Sequence, residues 1–332
     1  MSSEIHSSLV HSSIKLPPRR AQKIKEHYRR FWYFHLVGAV VGLVTFILLV
    51  LDVFFPHLAQ AGVDSATIEV TAMALTNPTP TSFDLYQHQI LHSDSPFQAS
   101  LDGFNASLFL PDLEPNIIPF AYVQVPGMVA RDGLSVSLVQ TIQIADMDQF
   151  ARYSAIAFKN DTYTLGISGR PLLHLGGFPA TYVNFNHVLS LKGLNNLRGF
   201  NVTQTQILLS PASDGANMLG IVYVPNPSPM TVQLGNLTMD LFVEKDLIGT
   251  STIENLTIMP GNNTVEMRAT VNQSLVLEKT ADFPSGVLPI DAVGKSVTFH
   301  GQHLPYFEKS LAATAQHIEL NVTATIGKLL GN

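Results

Sequence analysis

MTVQLGNLTMDLFV, residues 230–243, decides the fold. Val232 and Leu234, then Leu237, Met239, Leu241 and Val243, recur at every second position, the period of a strand with one face in a core. The phase slips once, at Gly235-Asn236, and a β-bulge at that pair reconciles the two registers. Glu244-Lys245-Asp246 then reads as a turn. Downstream, Ile253–Met259 and Val265–Val271 flank Pro260-Gly261-Asn262-Asn263, a hairpin signal. Val265, Met267, Ala269 and Val271 should share one buried face.

Upstream the pattern repeats. Asn77-Pro78-Thr79-Pro80 returns as Asn226-Pro227-Ser228-Pro229 after 149 residues, and Asn105-Ala106-Ser107-Leu108 returns as Asn255-Leu256-Thr257-Ile258 after 150. Phe150–Gly166 and Phe307–Asn321 each read as a short helical run followed by an alternating strand. Phe150, Tyr153 and Ala157 fall on one helical face in the first, and Phe307, Leu311 and Thr314 in the second. Such self-similarity predicts two related β-rich units, 56–190 and 191–332. Proline removes a ladder donor, so both Asn-Pro pairs belong at a strand end or an edge bulge.

At the other end, FWYFHLVGAVVGLVTFILLVL (31–51) is a 21-residue apolar run with His35 as its only readily ionisable member. About 20 residues of helix cross a hydrocarbon core of roughly 30 Å. Phe31, Trp32 and Tyr33 at one end, and Phe54 and Phe55 at the other, have the character of interfacial belts. The expected span is a helix over 31–55, preceded by a basic, disordered tail over 1–30. Arg19, Arg20, Lys23, Lys25, Arg29 and Arg30 lie on the N-terminal side, so the positive-inside bias puts that side in the cytoplasm and the body in a lumen or outside the cell. A cleaved signal peptide is the rival, with Ala59-Gln60-Ala61 as its cleavage site. Its apolar region would be about 7–15 residues behind a short leader, which favours an uncleaved signal-anchor here. Gly38 and Gly42 form a G-x-x-x-G spacing through which two such helices could pair.

The formal net charge of −6 is unevenly placed: residues 1–30 carry seven Lys/Arg against Glu4 and Glu26, and no Lys or Arg occurs between Arg30 and Arg131. An acidic body has no clustered cations for nucleic acid. The absence of cysteine removes disulfides, thiolate metal sites and cysteine nucleophiles together. Acceptor sequons occur at Asn105, Asn160, Asn201, Asn236, Asn255, Asn262, Asn272 and Asn321, against about three expected by chance. All eight follow the apolar run, which agrees with a lumenal body.

Chemistry is hard to find. His88/His92 and His300/His303 are the closest histidine pairs, but neither comes with a zincin Glu, and surface loop positions explain them. Asp102, Asp112, Glu114 and Asp161 make no paired-carboxylate motif. Gly166-Ile167-Ser168-Gly169 lacks the nucleophile-elbow spacing and reads as a strand end.

Lys192-Gly193-Leu194-Asn195-Asn196-Leu197-Arg198-Gly199-Phe200-Asn201-Val202-Thr203 resembles a hallmark of the fungal domain of unknown function 3712. So do Val224-Pro225-Asn226-Pro227-Ser228, Ile253-Glu254-Asn255-Leu256 and Pro260-Gly261-Asn262-Asn263-Thr264. The resemblance covers most of the second half, and the first half only through the repeat. The Asn-Pro strand also resembles the LEA-2 (late embryogenesis abundant, type 2) family. That resemblance implies two tandem immunoglobulin- or fibronectin-III-like β-sandwiches, each with a short helix, in a fungal endomembrane setting such as the vacuolar membrane. It brings no catalytic motif and no cofactor.

The expected function is a non-enzymatic, membrane-anchored binding or scaffold module with a lumenal partner. The alternative is lipid binding or transfer through an apolar groove of the sandwiches, and a lumenal hydrolase ranks third.

Overall fold

The computed structural model describes residues 20–95, 97–113 and 116–323, with side chains from His27 onward. Helix α1 (Arg20–Leu49) starts inside the segment expected to be a disordered tail. Ala21, Gln22, Lys23, Lys25 and Glu26 are good helix formers, and they carry the helix back from the apolar run. Residues 1–19, including Arg19, lie outside the described residues. The helix is interrupted at Phe31 (φ −120°, ψ 17°), the first of four successive aromatic residues, which are poor helix formers. Beyond it the apolar run is exposed from Trp32 to Leu49, and Thr45 satisfies its hydroxyl by donating to the Val41 carbonyl at 2.9 Å. The helix is long and apolar enough for a single membrane span. Helical structure does not stop at 55: Val50–Phe54 form a π turn and α2 (Phe55–Asp64) follows.

Residues from Leu58 onward make a second compact unit, mainly β. Its first half contains β1 (Thr67–Thr76), β2 (Ser82–His92), β3 (Ser100–Leu101), β4 (Phe104–Phe109), β5 (Ala121–Val125), β6 (Met128–Val129) and β7 (Leu134–Gln143). Helix α3 (Met147–Lys159) follows, then β8 (Thr162–Gly169), β9 (Leu172–His174), β10 (Thr181–Tyr182) and β11 (Phe185–Lys192). The second half contains β12 (Asn201–Ile207), β13 (Met218–Asn226), β14 (Met230–Val243), β15 (Asp246–Ile258) and β16 (Gly261–Val271). It ends with α4 (Gln273–Thr280), β17 (Val287–Phe299), β18 (Gln302–His303), α5 (Pro305–Ala312) and β19 (Ala315–Asn321).

β14 carries the bulge its sequence announces. Its ladder with β15 shifts on both sides of Gly235, which takes φ +80°. A Cβ there would lie 2.5 Å from the Thr298 carbonyl oxygen, so the slip needs glycine. The β15–β16 hairpin forms differently from its simplest reading. The two strands pair only at their far ends, Gly249–Thr252 with Arg268–Val271. Near the turn β15 pairs with β14, and β16 pairs with β13. The chain thus crosses between the two layers of a sandwich at Pro260. Buried Asn263 holds that corner, its amide donating to the Met259 carbonyl at 2.7 Å and the Val224 carbonyl at 3.1 Å.

The two halves share one sheet. β1 runs parallel to β14, with Met73, Ala74 and Leu75 opposite Met230, Thr231 and Val232, and β2 and β7 continue from β1. The repeated helix-strand units are α3–β8 and α5–β19, as their spacing predicts. The two helices pack on each other: the Phe150 and Tyr306 rings are 5.0 Å apart, and the Ser310 hydroxyl donates to the Ala151 carbonyl at 3.0 Å. Tyr306 also donates to the Thr79 carbonyl at 2.9 Å, fastening α5 to the first Asn-Pro turn.

Candidate ligand-binding cavity

In the first half, β1, β2 and β7 form one wall and β4, β5, β8 and β11 the other. Between them lies a cavity of about 110 Å³. Its deep end is closed by Phe83, Phe120, Phe150 and Tyr153, four buried rings of which Phe83 and Phe150 stack 5.2 Å apart. Leu58, Gly62 and Ala66, Ser93, Ser95, Phe97 and Ala99, and Met128, Ala130 and Leu175 surround the shallow end, where side chains are half-buried or exposed. Gln60 anchors this lip: its amide donates to the Asn184 carbonyl and accepts from the Asn184 amide, both at 2.8 Å.

The lining is almost wholly apolar, and none of the described residues that form it is Asp, Glu, Lys, Arg or His. Its polar members are Gln87, Gln89, Ser93, Ser95 and Tyr153. The Tyr153 hydroxyl is committed to that of Tyr163 at 3.1 Å, and burial raises the pKa of both phenols. Gln87 donates to Gln89 at 2.8 Å, which makes the pair the main polar feature of the wall. Cavity-type ligand sites combine apolar walls with a few placed polar groups in this way.

Two glycines shape the far wall. A Cβ on Gly166 would fall 2.4 Å from the Phe109 ring, and one on Gly169 2.4 Å from Phe104, so β8 recedes to seat both rings. This is the segment read as a strand end, and β8 does end at Gly169. Below the lip, His187 on β11 faces inward beside Phe185, with its buried Nε2 lacking a hydrogen-bond partner. Burial lowers its pKa, opposed by the Asp64 carboxylate.

The hallmark segment from Lys192 has a structural task. The Gly193, Leu194 and Asn195 amides donate to the Asp161, Ala157 and Asn160 carbonyls at 2.8, 2.8 and 3.0 Å, capping the C-terminal end of α3. Asn195, Asn196 and Leu197 all take φ near +50°, and Asn196 accepts from Gln316 of β19 at 2.9 Å. A Cβ on Gly193 would strike the Asn160 oxygen at 2.3 Å. The motif therefore ties α3 of one half to β19 of the other.

The remaining sequence candidates are scattered. All eight sequon asparagines are exposed. Asn236 accepts from the Asn255 amide at 2.9 Å, placing two acceptors side by side, and Asn272 caps α4. Arg20, Lys23, Lys25, Arg29 and Arg30 lie on α1. At Gly38 and Gly42 an added Cβ meets nothing within 4 Å. His88 and His92 lie on β2 and His303 on β18, on strands rather than loops. His88 bonds to Thr71 at 2.7 Å and Ser135 at 2.8 Å, one ring nitrogen each. Among the described residues no three His, Asp or Glu side chains gather as metal ligands.

Residues 118–241 match the family described as "Protein of unknown function (DUF3712)". The match runs from just before β5 into β14, so it straddles the two halves instead of covering most of the second. It includes the α3-capping hallmark and the second Asn-Pro turn, and it leaves out Ile253–Leu256 and Pro260–Thr264. No curated protein matches the chain. Among solved structures, the periplasmic chaperone SfaE is 10% identical over 76% of this chain and 98% of its own, with a TM-score of 0.19. Red sea bream transglutaminase is 13% identical over 68% of this chain and 28% of its own, with a TM-score of 0.20. Likenesses this slight bear on neither fold nor function.

Proposed function

We propose that this chain is a non-enzymatic, membrane-tethered binding protein whose first half takes the apolar part of a lipid into the cavity between β1-β2-β7 and β4-β5-β8-β11. The observation that carries the reading is the wall itself: apolar on both faces, open at one end, with no Asp, Glu, Lys, Arg or His among its described lining residues. Burial of hydrocarbon is favoured by about 0.8 kcal/mol per methylene over water, so a cavity of this composition holds an acyl segment in preference to solvent. In sequence, Leu58 on the lip follows the last residue of the apolar run by seven positions.

The orientation that goes with this reading has a cytoplasmic basic end and a lumenal, glycosylated body. Clustered Lys and Arg beside a span favour anionic leaflets by about 1 kcal/mol each, and all eight acceptor asparagines are exposed. A LEA-2-like kinship and a fungal vacuolar membrane are the setting the sequence resemblance supplies. Pairing of two chains through Gly38 and Gly42 is compatible with the open helix face they share.

Native mass spectrometry of the full-length chain released from detergent tests the lipid reading. The wild type should carry adducts of lipid mass, and Ala99→Phe, which narrows the mouth, should lose most of them. A wild-type chain that is lipid-free and takes up none from vesicles would sink the proposal.

A further inference from the structure

A lipid tail leaving a bilayer for this cavity exchanges one hydrocarbon environment for another, so selectivity must come from the head group. Three features of the mouth bear on it. The first is the lining, which has no cation, and the sequence has no Lys or Arg from 31 to 130, the stretch that supplies α2, β1 through β5 and the 93–99 segment.

The second is the charge set just behind the lip. Glu69 alternates with lining residues Ile68 and Val70 and so lies on the outer face of β1, Asp94 lies between Ser93 and Ser95, and Asp64 lies beside Val63. Asp132 accepts from the Ser93 amide at 3.3 Å. Against these four carboxylates stand Arg131, His92 and His187, the last of which feels the Asp64 carboxylate, and His92 is already placed between two of them, 3.3 Å from Glu69 and 3.5 Å from Asp132. Carboxylates outnumber cations around the mouth, which disfavours an anionic head there.

The third is the Gln87–Gln89 pair. An amide side chain offers two N–H donors and one carbonyl acceptor. With one donor of Gln87 spent on the Gln89 oxygen, the pair retains donors on Gln89 and acceptor capacity on Gln87. That combination complements a hydroxyl or an ester carbonyl, not a phosphate or carboxylate, whose several lone pairs ask for cations or many N–H groups.

Size narrows the choice. A dry apolar cavity of about 150 Å³ takes up a molecule the size of benzene, so about 110 Å³ accepts part of one chain and not the paired chains of a phospholipid. Resting on the lipid-binding reading above, we propose that the cavity selects an uncharged single-chain lipid of the monoacylglycerol or fatty-alcohol class. The head lies at Gln87 and Gln89, and the first methylenes of the chain occupy the apolar space beside them.

The test uses the full-length chain in phosphatidylcholine nanodiscs and a photoreactive monoacylglycerol whose cross-links are mapped by peptide mass spectrometry. Labelling should fall on β1, β2 and the 93–99 segment. Unlabelled monooleoylglycerol should displace the probe at a concentration at least tenfold below hexadecyl phosphate or lysophosphatidylcholine. Gln89→Lys, which brings one cation into the wall, should narrow or reverse the preference over hexadecyl phosphate. Displacement by hexadecyl phosphate or lysophosphatidylcholine as effective as by monooleoylglycerol overturns the head-group selection while leaving a lipid site in place. Absence of cavity labelling with every probe overturns the lipid reading itself. Should Gln89→Lys not fold, the wild-type competition alone decides.

Discussion

The two halves start from similar sequence signals and end with different interiors. Between β12-β13-β16 and β14-β17-β19, the second half holds voids of about 20 Å³ each, with about 40 Å³ more where Met230, Val232 and Leu234 meet α3 and α5, against about 110 Å³ in the first half. Four methionines, Met218, Met230, Met239 and Met267, are buried there. Their unbranched thioethers follow irregular gaps. The first half is walled mainly by rings and branched aliphatics, with Met73 and Met128 the methionines among its lining, and leaves the space open. The same architecture thus gives a solid body in one half and a receptacle in the other, and what separates them is side-chain choice on the inward phases.

That contrast can be broken by truncation. Ile253→Ala, at a fully buried site in the second half, should cost about 3–4 kcal/mol, read as a shift of the urea midpoint of the full-length chain. Leu85→Ala, on the cavity wall, should cost about 2 kcal/mol or less, because its side chain already faces space. Equal losses would mean that the first half is packed as tightly as the second.

Enlargement sharpens it from the other side. Val222→Leu, where Val222 is fully buried, should destabilise by about 1–3 kcal/mol through overpacking. Val136→Leu on the cavity wall should stay within about 1 kcal/mol of the wild type by the same measurement while lowering lipid uptake.

The smallest expected effect is a difference in acid response. Burial depresses the His187 pKa, so its contribution to stability is present above the ordinary histidine value near 6.5 and is lost as pH falls below it. In the second half, the Arg268 guanidinium holds the Asp214 pKa down at about 2. That contribution is present above the ordinary carboxylate range and is lost as pH falls toward 2. Hydrogen exchange at pH 5.5 should therefore show β11 opening more readily than at pH 7.5, with β16 unchanged and the β11 difference absent in His187→Phe.

Much of this was legible in the chain. The MTVQLGNLTMDLFV alternation with its glycine slip, the α3–β8 and α5–β19 repeats and the apolar helix all follow from local periodicity, which sequence carries directly. The sheet crossing at Pro260 was not legible, because a turn motif reports chain reversal but not which neighbour each strand then pairs with. The cavity was half legible. β2 reads Phe83, Leu85, Gln87, Gln89, Leu91 on its inward phase, and two amides on a core face were the signal, masked by the histidines that lie between and beside them. The void itself depends on how rings from distant strands meet, which no local pattern records.

The register of β1 against β14 also sets an order of events. Met73 finds its partner at Met230, 157 residues later in synthesis. At about 5–20 residues per second the strand beside the lip waits roughly 8–30 s for its neighbour, long after β2 is available on its other side. Through that interval one edge of β1 remains unpaired. The nascent first half is therefore an incomplete sheet, and the receptacle gains its last supporting strand only when the second half has been made.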